Sequence, residues 1–117
     1  MGMGKLSVII PAYNEEQFIG ALLEKVLAVD LSQFGLSKEV IVIDDCSKDR
    51  TAEIVRQFPA VTLLSQSPNQ GKGAAVRAGL ARATGDYLII QDADLEYAPP
   101  DYVPMLAKLL SNGAGAV

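Results

Sequence analysis

Four short apolar runs punctuate the chain, at residues 6–10, 40–43, 61–64 and 87–90, and all are rich in Val, Ile and Leu. None alternates cleanly between apolar and polar positions, which predicts strands buried on both faces. Between the runs the period changes. Over residues 15–29 the apolar positions Ile19, Leu22, Leu23, Val26 and Leu27 recur at helical spacing, with Glu15 and Glu16 near the positive end of the helix dipole. Ile54, Val55 and Phe58 mark one face of a shorter helix over about 49–58, which Ser47 or Asp49 can cap. An alanine-rich helix is expected over 73–83. A last amphipathic helix is expected over 102–110, with Pro104 in its first turn.

The order β-α-β-α-β-α-β-α, built on continuously apolar strands, predicts an α/β fold. Its expected form is a three-layer α/β/α arrangement, with a mostly parallel sheet covered on both faces through right-handed crossovers. No repeat, low-complexity segment or linker interrupts the pattern, so residues 1–117 read as one domain near the lower end of the usual size range. The polar residues then become informative. The first strand leads into Tyr13-Asn14-Glu15, the second into Asp44-Asp45 and the fourth into Asp92-Ala93-Asp94. In open parallel sheets ligands bind outside the carboxyl ends of the strands, and all three segments belong to that edge.

Composition narrows the chemistry. Half the residues are hydrophobic (50%) and 21% are charged, which is a globular balance. The net charge of −4 argues against nucleic acid as a partner. Cys46 is the single cysteine and there is no histidine. Internal disulfides, cysteine zinc clusters, histidine bases and Ser-His or Cys-His pairs are therefore excluded. Any catalysis rests on carboxylates, a metal or the substrate itself. No apolar run approaches the roughly 18–20 residues that cross a bilayer, and the N-terminus lacks a signal-peptide pattern. The expected location is the cytoplasm, with peripheral contact at the membrane face left open.

Each polar segment admits a chemical and a plain reading. Asp92, Asp94 and Glu96 crowd the exit of the fourth strand, and no Lys or Arg lies between Arg82 and Lys108. Such carboxylates repel unless a cation compensates, and Mg2+ or Mn2+ bound with a substrate phosphate would do so; the plain reading is an acidic loop that caps a turn. Tyr13 and Glu15 can read a base by stacking and by accepting from ring N–H groups. Alternatively Asn14 is an N-cap and the glutamates serve the dipole. Asp44 and Asp45 can accept from a ribose or base, or form an Asx turn. Gly71-Lys72-Gly73 starts a dinucleotide fingerprint that fails at Val76, and Lys72 is not followed by the Ser or Thr of a Walker loop. These glycines are read as a tight lead into a packed helix, with Lys72 and Arg77 as lesser phosphate contacts.

Taken in order, the segments resemble the family 2 glycosyltransferases of the GT-A fold, over nearly the whole chain from Leu6 to about Leu110. Val8-Ile9-Ile10-Pro11-Ala12-Tyr13-Asn14-Glu15 looks like that family's opening strand and base-contacting loop. Val42-Ile43-Asp44-Asp45-Cys46-Ser47 looks like its acidic second-strand turn, and Asp92-Ala93-Asp94 like its metal-binding D-x-D. Gly71-Lys72-Gly73-Ala74-Ala75 and the segment from Gln91 to Tyr97 are most similar to the polyprenyl-phosphate sugar transferases, the dolichol-phosphate mannosyltransferase group.

The resemblance implies a partial GT-A domain that binds a GDP- or UDP-sugar with Mg2+ or Mn2+, for inverting transfer to an acceptor such as polyprenyl phosphate or a glycan. It places Pro11, Tyr13, Glu15, Asp44 and Asp45 at the nucleoside, Asp92 at ribose and metal, and Asp94 and Glu96 on the metal. An acceptor that is already an anion needs no strong protein base, so no catalytic residue is assigned. Relatives continue with further strands, acceptor residues and membrane helices. The expectation is therefore donor-site chemistry without a complete acceptor site, and self-association through an exposed sheet edge or apolar face. The alternative is a non-catalytic nucleotide-binding or interaction module. Carboxylate phosphotransfer is disfavoured, because its acidic residues belong on a first strand that here ends in Pro11-Ala12-Tyr13.

Overall fold

The computed structural model describes residues 4–92, so the expected helix at 102–110 and the side chains of Asp94 and Glu96 lie outside the described residues. Four strands form one parallel sheet: β1 (Gly4–Ala12), β2 (Leu36–Asp44), β3 (Val61–Ser65) and β4 (Tyr87–Ile90). They are joined by α1 (Ile19–Ala28), a 3-10 turn at Ser32–Phe34, α2 (Thr51–Val55) and α3 (Lys72–Arg82). The spatial order is β3-β2-β1-β4. Two crossovers therefore build outward from β1, and the third jumps back to its other side. A right-handed connection that reverses direction must lay its helix on the opposite face.

The side chains record this alternation. Leu6, Val8, Ile10 and Ala12 of β1, with Val40 and Val42 of β2, pack against Ile19, Leu22, Leu23 and Val26 of α1 and Val55 of α2. Ile9, Ile41 and Ile43 point the other way, onto Ala75 of α3. Small residues let α3 settle close: a Cβ added at Gly79 would stand 2.6 Å from Ile9 Cγ2 and 2.8 Å from Ile43 Cδ1. Overpacking of this kind typically costs about 1–3 kcal/mol. Gly79→Ala is accordingly expected to lower the unfolding free energy by that amount in urea titration, despite alanine's better helix propensity.

β1 runs through Pro11 to Ala12 rather than stopping before the proline. The Ile9 carbonyl accepts from Gln91 on the β4 side, whereas the Ala12 carbonyl accepts from Asp45 on the β2 side. By strand parity Pro11 turns its nitrogen toward β4, whose ladder ends at the Ile9–Ile90 pair. The missing N–H costs no ladder bond there. β2 starts four residues before its apolar run because its polar residues have partners. Lys38 Nζ donates to the carbonyls of Val26 (2.7 Å), Leu27 (2.8 Å) and Val29, closing the C-terminus of α1. Glu39 accepts from Ser7 Oγ at 2.7 Å and from the Thr84 N–H at 2.9 Å. Among the described residues β4 forms one margin of the sheet, with Ile90 40% exposed. No helix among them is long and apolar enough to cross a membrane.

Candidate functional site

The strand order reverses beside β1, so the crevice expected at such a switch point opens at the carboxyl ends of β1 and β4. A cleft of about 200 Å3 lies there, lined by Pro11, Ala12, Tyr13, Glu15, Asp45, Lys72, Ala75 and Asp92. A larger groove of about 530 Å3 includes Gly4, Lys5, Thr84 and Asp86, at the opposite end of the sheet. There Lys5 Nζ donates to Thr84 Oγ1 and the Lys5 N–H to Asp86, contacts that stitch the strand starts together. The first cleft is the one that gathers chemistry from three strand exits.

Tyr13 and Glu15 are delivered by a loop that is not a simple helix start. Asn14 sits at φ 52°, in the left-handed region that asparagine tolerates, and it does not cap α1. Instead its N–H donates to Ser47 Oγ (2.8 Å) and its Oδ1 accepts from the Lys48 N–H (2.8 Å). The Glu15 N–H donates to Thr51 Oγ1 at 2.8 Å, and the Glu16 N–H to Asp49 Oδ2 at 3.2 Å. The loop after β2 thus pins the loop after β1, and regular α1 begins only at Ile19. Asp49 also accepts from the Thr51 N–H (2.9 Å) and hydroxyl (2.5 Å), an Asx-type turn ahead of α2, while Ser47 faces the other loop; the N-cap of α2 is Arg50 and no side chain caps it, so neither expected cap serves. Burial would raise the Asp49 pKa, but the bonds from Thr51 and Glu16 outweigh it and hold the carboxyl below its ordinary value.

The adjacent aspartates part company. Asp44 ends β2 on the face of Val40 and Val42, is 5% exposed and accepts from the Ser47 N–H at 3.2 Å; it does not line the cleft. Asp45 does. Its Oδ1 accepts from the Gln70 N–H (2.7 Å) and Gln66 Nε2 (2.9 Å), and its Oδ2 from the Gly71 N–H (2.8 Å). Burial pushes this carboxyl up, yet those donors together set it below the usual aspartate value.

At the far wall the fully buried Gln91 donates its N–H to the Ile9 carbonyl (2.9 Å) and its side-chain amide to the Asp92 carbonyl (3.1 Å). This fixes the turn out of β4. Asp92 then faces Lys72, the first residue of α3, in an ion pair across the cleft. Lys72 is therefore a cleft residue, placed by Gly71 at φ 94°. Its signal in the sequence was the glycine pair that frames it. Gly73 makes no tight approach, since an added Cβ would meet only the Arg77 guanidinium at 3.4 Å.

The chain carries the GT-A fold of nucleotide-sugar transferases, on the likeness of its sheet and helices to solved members. It belongs to glycosyl transferase family 2, whose family model matches residues 7–117. It is 35% identical over 113 residues to the dolichol-phosphate mannosyltransferase of Pyrococcus furiosus, covering 94% of this chain and 31% of that protein. It is 40% identical over 119 residues to the undecaprenyl-phosphate 4-deoxy-4-formamido-L-arabinose transferase of Aeromonas hydrophila, covering 96% and 35%. The chain thus spans about a third of the length of these relatives. Among solved structures it superposes on the mannosyltransferase of Pyrobaculum calidifontis in complex with GDP-Man and Mn2+, with a TM-score of 0.77, 32% identity and 92% and 32% of the two chains covered. It also resembles the Mycobacterium tuberculosis glucosyl-3-phosphoglycerate synthase in complex with Mn2+, UDP and glucosyl-3-phosphoglycerate, with a TM-score of 0.72, 28% identity and 92% and 39% covered.

Proposed function

We propose that the cleft is the donor site of a metal-dependent inverting glycosyltransferase, and that it holds a GDP- or UDP-sugar. The observation that carries this reading is the convergence of Tyr13, Glu15, Asp45, Lys72 and Asp92 on one cleft at the switch point. Pro11 and Tyr13 offer an apolar wall and a ring, 43% exposed in the tyrosine, against which a base can lie. The Glu15 carboxylate is an acceptor for base or ribose donors, and Asp44 lends its carboxylate to the turn behind that loop.

The fit of a divalent cation rests on Asp92. Its carboxylate already faces a positive charge, that of Lys72, at the edge of the cleft, and hard oxygen donors suit Mg2+ or Mn2+. Among the described residues no three His, Cys, Asp or Glu side chains gather to hold a metal. Asp94 and Glu96 are the proposed remaining donors. A bound cation would neutralise the departing nucleoside diphosphate and so lower the barrier to breaking the anomeric C–O bond. Lys72 adds a point charge on the same side, as ammonium groups do at phosphates.

The complexes with GDP-Man and UDP in structural relatives support a nucleotide sugar as donor, and the relatives' names support a polyprenyl-phosphate acceptor. Such an acceptor would bring the protein to the cytoplasmic face of a membrane. Thermal denaturation of the chain with GDP, UDP and their sugars, each with and without Mn2+, tests the donor site. A ligand at 100 times its Kd adds about 2.7 kcal/mol to stability. Stabilisation that requires both nucleotide and metal is expected; no response to any nucleotide would overturn the reading.

A further inference from the structure

We infer that Lys72 is an exchangeable counter-ion. It neutralises Asp92 in the free protein, competes there with the divalent cation, and passes to the donor diphosphate when nucleotide and cation arrive together. The inference rests on the donor-site reading above and adds a reason why the two ligands load as a pair. Lys72 stands on the solvent side of the ion pair: its side chain is 60% exposed and that of Asp92 18%. Both line the cleft, so the ammonium covers the carboxylate assigned above to the cation. A lysine in the first turn of α3 lies at the wrong end of the helix dipole, and that turn has no acidic residue to offset it. The position is favourable only with an anion beside it. Asp92 is that anion in the free protein, and a diphosphate at the same helix N-terminus would serve both the dipole and the lysine. The flanking glycines give the stem room to move between the two. A Cβ at Gly71 would meet nothing within 4 Å, and one at Gly73 only the Arg77 guanidinium. The ammonium is a compact charge on a flexible stem, which suits it to a change of partner. A cation at Asp92 without nucleotide strands Lys72 beside a like charge, and nucleotide without a cation leaves Asp92 facing phosphate. With both present, every charge has an opposite neighbour.

Mn2+ binding, followed by the electron paramagnetic resonance of the free ion, tests the exchange in wild type, Lys72→Met and Lys72→Arg. Each is titrated without nucleotide and with saturating GDP or UDP. Without nucleotide, Lys72→Met is expected to bind Mn2+ about fivefold tighter than wild type, the scale of one partly exposed ion pair. Lys72→Arg keeps the charge and should bind Mn2+ as wild type does. With nucleotide present the gain should vanish, because Lys72 has already left Asp92. No gain without nucleotide would mean that Lys72 does not compete for Asp92, and would overturn the inference. An equal gain in both conditions would mean that the lysine never leaves the carboxylate, which overturns it too. Arg82→Met removes a charge at the far end of α3 and should leave Mn2+ affinity unchanged. A matching gain there would assign the effect to net charge and sink the exchange. Should the wild type bind neither nucleotide with Mn2+, the donor-site reading fails and the exchange falls with it; in a protein that binds nucleotide, the Mn2+ pattern alone decides.

Discussion

Replacing Asp92 by asparagine is expected to weaken GDP or UDP binding in the presence of Mn2+ by at least the 10- to 100-fold that roughly follows loss of even an outer partner of a metal ligand. In EDTA the sign should reverse. Without a cation the Asp92 carboxylate faces the diphosphate as a like charge, worth roughly 1 kcal/mol at 4 Å in water and more where solvent is thinned. Asp92→Asn also leaves Lys72 without that carboxylate across the cleft, which favours its turn toward phosphate. The variant should then bind metal-free nucleotide as well as the wild type or slightly better. Isothermal titration at fixed pH, with Mn2+ and with EDTA, reads both arms. Equal losses in the two arms would point to a hydrogen bond from ribose rather than to a metal, and would remove Asp92 from the metal site. Asp94→Asn, argued from the D-x-D spacing, should show the metal arm alone.

Much of this site was legible because a parallel sheet exposes only one chemically useful edge. Once 6–10, 40–43 and 87–90 are read as strands, Tyr13, Glu15, Asp45 and Asp92 must gather at their exits, and all four line the cleft. Asp44 and Asp45 could not be separated in the same way. Consecutive residues at a strand end face opposite sides of the sheet, and which side carries the cleft depends on where α3 lies. That is settled by strand order, through the reversal between β3 and β4.

The features the sequence concealed are hydrogen bonds between distant segments. Asn14, Ser47 and Thr51 each have the composition of a local cap, and local capping is their commonest use. Here they close contacts across 33 to 36 residues. The tertiary neighbour decides which of these bonds forms. The polar start of β2 was hidden for a related reason: Lys38 and Glu39 interrupt the apolar run, yet each is satisfied by elements far along the chain. The sequence marks Lys72 as a lesser phosphate contact only, because the glycines on either side suggest close approach of a packed helix. The close approach belongs to Gly79 instead, two turns further into α3.

Thr51→Val should be the most damaging conservative change near the cleft. The side chain is fully buried and its hydroxyl does two things: it accepts from the Glu15 N–H and donates to Asp49. Valine matches the shape but leaves the part-buried Glu15 N–H without this acceptor and withdraws a donor from a carboxylate. Together these are expected to cost about 2–3 kcal/mol near neutral pH. The consequence is pH-dependent with a definite sign. The folded-state pKa of Asp49 lies below the ordinary value of 3.8, so the stability it contributes is fully present above that value and is lost as pH falls through the lower folded value. The gap between wild type and Thr51→Val should therefore be widest at neutral pH and narrow in urea titrations taken from pH 5 downward. A gap that holds constant to pH 2 would mean that the threonine acts on the Glu15 N–H alone. The same variant removes one of the four bonds that pin the loop carrying Tyr13 and Glu15, so nucleotide affinity should fall even at temperatures where the protein remains folded, because a loosened loop that must be ordered on binding subtracts its entropy from the affinity.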